Sequence, residues 1–118
     1  MKSDNNDQSV VIMIALEGMG HAERELRLKP LHSYLTLLDA DGRLPAAICF
    51  VTEGVRLVCK DSPLLDILPQ LELSGVYLIS GSTSLEALNL SDRVKVGIVG
   101  GMPDIIEAQW QADKVISL

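Results

Sequence analysis

Four short apolar runs, Val10–Leu16, Ala46–Val51, Val76–Ser80 and Val94–Val99, set the strongest constraint on this chain. Each is followed within a few residues by a glycine. Continuous apolar stretches such as VVIMIAL and AAICFV suit strands buried on both faces. Segments with helical spacing separate them, and KVIS at Lys114–Ser117 closes the series. The order βαβαβαβαβ predicts one α/β domain. Its sheet is five-stranded and mostly parallel, with helices on both faces in a Rossmann-like layering. Residues 1–8 are polar and read as a disordered tail, leaving 9–118 as the domain.

The helical segments carry their own signals. Between His21 and Leu38 the apolar stripe is Leu26, Leu31, Leu35 and Leu38, and Pro30 is expected to kink or split the helix. Ser62 and Pro63 read as the cap and first position of a second helix, with Leu64, Leu65, Leu68 and Leu71 as its stripe. Pro69 falls inside it and should bend or shorten it. One or two helical turns follow at Leu85–Leu90, and a last helix at Met102–Ala112 starts near Pro103.

Composition narrows the function classes. The 118 residues hold 10 basic and 16 acidic side chains, for a formal charge of −6, with no basic run. Nucleic-acid binding needs a concentrated basic face, and aromatics for base stacking make up only 3%. The longest apolar run falls far short of the roughly 20 residues that span a bilayer. The polar, acidic start MKSDNNDQS does not fit a secretory signal. The expectation is a cytoplasmic protein, off the membrane, with Cys49 and Cys59 as reduced thiols. No sequence pattern calls for a metal or another cofactor.

Candidate site residues cluster where the apolar runs end, because open α/β sheets bind ligands at the carboxyl ends of their strands. Gly81-Ser82-Thr83-Ser84 follows the third run and offers backbone N–H groups and hydroxyls to a small anion. The same hydroxyls can simply cap the next helix. Gly18, Gly20 and His21 follow the first run; the glycines allow a close ligand approach, and His21, in a first helical turn, could accept a proton. Glu17 and Glu53 would share a rim if the first two strands are neighbours, either as paired acids or as ordinary strand-end charges. Cys49 sits in an apolar run and reads as core. Cys59 lies beside Lys60 and ahead of the Ser62 helix, where a cation and a helix start lower a thiol pKa; packing is the alternative. Met19 and Met102 could form an apolar lip or a subunit contact.

Four segments together resemble the DsrE-like family, most of all the C-terminal domain of YedF-type sulfurtransferases. Met19-Gly20 with Glu25-Leu26 resembles the family's MG…EL. Gly54–Pro63, GVRLVCKDSP, resembles GVKL-x-C-x-x-SP. Gly75–Leu85 resembles GV-x-x-x-x-CGTCL, and Ala112–Ile116 resembles ADKVI. The resemblance implies a compact α/β fold, self-association into a homo-oligomer and a link to persulfide sulfur transfer, with sulfur-relay proteins as partners. It breaks at CGTC, where this chain has Gly81 and Ser84 in place of both cysteines. A serine hydroxyl has no accessible ionisation and stores no sulfane sulfur. Three readings stay open: a non-catalytic, oligomeric binding or sulfur-relay accessory module, a sulfurtransferase that uses Cys59, and a small-anion binder at Gly81–Ser84.

Overall fold

The computed structural model describes residues 8–118. The expected disorder of the first eight residues therefore lies outside the described residues, except at Gln8. Five parallel strands form one sheet in the order β4-β3-β2-β1-β5. They are β1 (Val10–Ile14), β2 (Ala47–Phe50), β3 (Tyr77–Gly81), β4 (Ile98–Gly100) and β5 (Lys114–Ser117). The helices are α1 (Arg24–Asp41), α2 (Ile67–Leu73), α3 (Ser82–Ala87) and α4 (Met102–Gln111). A 3-10 helix at Thr52–Val58 follows β2, where the sequence showed only an apolar stretch.

Strand order decides how the two faces are covered. The chain steps from β1 to β4 in one direction, so right-handed crossovers put α1, α2 and α3 on one face. The last connection runs back across the sheet to β5, which puts α4 alone on the other. Side-chain packing follows this division. Ile12, Ile14, Ile48, Phe50 and Leu78 pack with the leucines of α1 and α2 in the larger core. Val11, Ala47, Cys49 and Ile79 pack against Ile105 and Ala108 of α4 and against Ala112 just past its end in a smaller one.

Several elements differ from their sequence-based bounds for identifiable reasons. Helix α1 is unbroken through Pro30. Pro30 is exposed and so is Leu26, whose carbonyl loses its partner, so water can serve that carbonyl. The stripe turns accordingly: Leu28, Leu31 and Leu35 are buried, and Leu26 faces out. The Ser62 segment stays in turns, with Ser62 Oγ accepting from Leu64 N–H at 3.1 Å. Helix α2 starts only at Ile67, whose N–H donates to Asp66 Oδ1 at 2.8 Å. That start places Pro69 in the first turn, where an amide hydrogen is not needed, and removes the anomaly.

The fourth strand is short because Gly97 breaks it. Gly97 has φ +81, and a Cβ there would stand 2.7 Å from the Leu78 carbonyl oxygen. Before it the chain turns away, and Val94 forms an antiparallel bridge with Cys59 instead of joining the sheet.

Candidate functional site

The loops after β1, β2 and β3 meet at the carboxyl edge of the sheet, and one residue ties them together. Thr52 lies two residues past the β2 end, at the start of the 3-10 helix, and has φ 48, in the left-handed region that non-glycine residues avoid. Its hydroxyl donates to the Ala15 carbonyl at 2.6 Å. Its N–H donates to Ser84 Oγ at 2.8 Å. A strained residue that bridges two neighbouring loops marks a rim whose shape is held deliberately. Sequence reasoning missed Thr52, since nothing local distinguishes a threonine at a strand end.

The segment expected to be an open turn is mostly helix. Gly81 ends β3, and Ser82, Thr83 and Ser84 form the first turn of the six-residue α3. No side chain caps that turn. Ser84 uses its oxygen to hold Thr52. Ser80, one residue before Gly81, is fully buried, and its hydroxyl finds no partner among the described residues.

Neither thiol reaches the rim as a nucleophile. Cys59 is 3% exposed, packs in the larger core and donates its Sγ hydrogen to the Val55 carbonyl. Burial pushes its pKa up, and the Arg56 cation opposes this without reversing it. Of the two readings of Cys59, packing is the one that fits: α2 begins too far along for its dipole to act, and desolvation outweighs the Arg56 cation. Cys49 is fully buried beneath α4, and burial raises its pKa to about 11.

The remaining candidates do not converge into a catalytic set. Gly18 has φ +122 and lies so close to α1 that a Cβ would sit 2.5 Å from the Arg27 carbonyl oxygen. It is needed for loop packing, which Met19 completes by donating its N–H to that same oxygen at 2.8 Å. Gly20 has φ +77 beside open space. His21 is exposed and precedes α1 rather than sitting in its first turn, so the helix-dipole argument does not apply to it. Glu17 pairs with Arg24 at 3.3 Å and Glu53 with Arg56 at 2.6 Å, which spends both carboxylates on local cations. Among the described residues no group of three or more His, Cys, Asp or Glu side chains could hold a metal ion. Met19 packs against the larger core, and Met102 alone is exposed.

Comparison with solved structures matches this architecture closely. The chain superposes on a protein of unknown function, MTH1491, from Methanobacterium thermoautotrophicum with a TM-score of 0.71, at 23% identity, covering 95% of this chain and 100% of that one. The YchN protein of E. coli gives a TM-score of 0.69 at 16% identity, covering 94% and 99%. BT1422 of Bacteroides thetaiotaomicron, also of unknown function, gives 0.65 at 14%, covering 99% and 100%. These neighbours share the single α/β domain with its parallel five-stranded sheet. No protein-family model and no curated protein matches the sequence. At these identities the likeness speaks for the fold, and the sequence resemblance to the YedF C-terminal domain rests on its motifs alone.

Open parallel sheets bind ligands at the carboxyl ends of their strands, and here the edge at Gly81–Ser84 presents hydroxyls and backbone. Among the described residues no helix is long and apolar enough to cross a membrane.

Proposed function

We propose that this protein is a non-catalytic, self-associating relative of the DsrE-like sulfurtransferases, which acts by binding partner proteins in a sulfur relay rather than by carrying sulfur itself. The observation that carries this reading is the fate of Ser84. The residue that stands for a reactive cysteine has become part of the scaffold, its oxygen committed to the Thr52 N–H at 2.8 Å. Cys59, the other residue with the right chemistry, is enclosed in the core with a raised pKa. A persulfide carrier needs an accessible thiolate.

Self-association is supported by the thinly covered face. One helix about 10 Å wide lies over five strands spaced about 4.8 Å apart, so much of that face stays open. Met102, Ile106 and Trp110 recur every four residues along α4 and are 60%, 47% and 81% exposed. Tyr77 and Ile98 add exposed apolar surface on the same side of the sheet. Apolar surface at this density usually marks a protein contact.

The test is intact mass after incubation with a persulfide donor, run beside a relative that retains CGTC. The relative should gain one sulfur atom, and this protein should gain none. A gain that disappears in Cys59→Ser would overturn the non-catalytic reading in favour of a sulfurtransferase.

A further inference from the structure

The opposite end of the sheet holds a cavity that the proposed function does not use. Strand β5 lies outside β1, beyond the reach of α1, which leaves a slot on the three-helix face. The slot has a volume of about 450 Å³. Its apolar walls come from Val10 and Ile12 of β1, Ile116 of β5 and Leu38 of α1, and Tyr34 adds a ring and a hydroxyl. The volume falls within the roughly 300–1,000 Å³ of small-ligand pockets.

Charge identifies the kind of occupant. In a chain of formal charge −6, the described residues that line this cavity include two cations, Arg43 and Lys114, and no carboxylate. Neither cationic side chain forms an ion pair or hydrogen bond among the described residues. Helix α1 ends nearby, and its dipole there disfavours an anion by about half a charge. Two of its terminal carbonyls are already occupied, since Gly42 N–H donates to Asp39 O and Arg43 N–H to Leu38 O. Two full positive charges outweigh what is left. Asp113, beside Lys114, is engaged by the Ser9 N–H at 2.9 Å.

We infer that this slot binds a small amphipathic carboxylate, with its apolar chain along Val10, Ile12, Leu38 and Ile116 and its carboxylate between Arg43 and Lys114. The apolar wall provides affinity by removing the chain from water, and the paired cations provide head-group selectivity through charge-assisted hydrogen bonds. The site starts where β1 and β5 begin, whereas the Gly81–Ser84 edge lies where the strands end, so the two readings stand or fall separately.

The experiment titrates the full-length protein with octanoate, 1-octanol and octylamine, followed by amide NMR and calorimetry. Octanoate should saturate and shift the signals of Val10, Leu38 and Ile116 while leaving those of Ser82–Ser84 in place. The uncharged alcohol should bind more weakly and the amine not at all. Arg43→Gln and Lys114→Gln should each weaken octanoate binding by roughly threefold to tenfold. Both are exposed and should keep the parent melting temperature. Leu38→Trp should fill the slot and abolish binding. Octylamine binding as tightly as octanoate, shifts confined to another surface, or unchanged affinity in both charge variants would overturn the assignment. So would an absence of octanoate binding together with dissociation of the oligomer in Arg43→Gln, which would make the slot a contact between copies.

Discussion

At the residue scale, Ser84 and Thr52 tie two loops of the rim together. A serine oxygen accepts the N–H of a strained neighbour, and the hydroxyl of that neighbour reaches the loop after β1. Ser84→Ala leaves the Thr52 N–H without its protein partner and should cost about 1 kcal/mol in urea unfolding. Thr52→Ala removes the tie to Ala15, and the two substitutions should be non-additive, because both act on one junction. Strict additivity would mean that the loops are held independently. Cys49 offers a different check. Its folded pKa of about 11 stands above the usual thiol value of 9.0, so the folded state holds the proton more tightly than the unfolded chain. The contribution is complete below pH 9.0 and is lost as pH rises toward 11. Two units correspond to an upper bound of about 3 kcal/mol. Between pH 9.0 and about 11, stability of the parent should therefore fall faster than stability of Cys49→Ala, and parallel profiles would refute the assignment.

At the element scale, the sequence located every strand and α-helix but missed the 3-10 helix at Thr52–Val58 and misjudged what stops several of the others. Helical spacing between His21 and Leu38 was legible because apolar periodicity is a local property. Whether Pro30 breaks that helix depends on which side of it faces water, and only packing sets that. Pro30→Ala restores a hydrogen bond on the exposed face. A helix-interior proline costs about 3 kcal/mol, while the added freedom of the unfolded chain returns up to about 1 kcal/mol, so a net gain of about 2 kcal/mol is expected in thermal unfolding. A loss instead would show that the larger core requires the proline-shaped helix. Gly97 is the reverse case. The run Val94–Val99 looks continuous as a sequence, yet its glycine passes so close to Leu78 that only the last residues join the sheet. That approach is a tertiary fact.

At the scale of the whole molecule, the order β4-β3-β2-β1-β5 has two consequences. It leaves α4 alone on one face, with Trp110 exposed, and it leaves a slot beside β5 on the other. If the α4 face joins copies of the chain, Trp110→Ser should shift the mass seen by light scattering toward the monomer without lowering helix content. An unchanged mass would remove that face from the interface. The candidate site was legible only in outline. The sequence pointed to the segment around Gly81 because strand-to-helix junctions carry sites, and it exposed the missing cysteines. It could not show that Cys59 is enclosed, since burial depends on segments far apart in the chain: Cys59 bridges to Val94 and packs in the larger core.

The sequence by itself determined the alternation of strand and helix, the aliphatic core and the absence of cysteine at Gly81 and Ser84, because propensity, periodicity and residue chemistry act within short stretches. Tertiary structure alone decided that neither thiol meets solvent, which helix side tolerates a proline, what Ser84 bonds to and where cations gather around an apolar cavity. Each of these depends on distances between residues that the linear chain keeps far apart, and only the closing of the sheet makes those distances short.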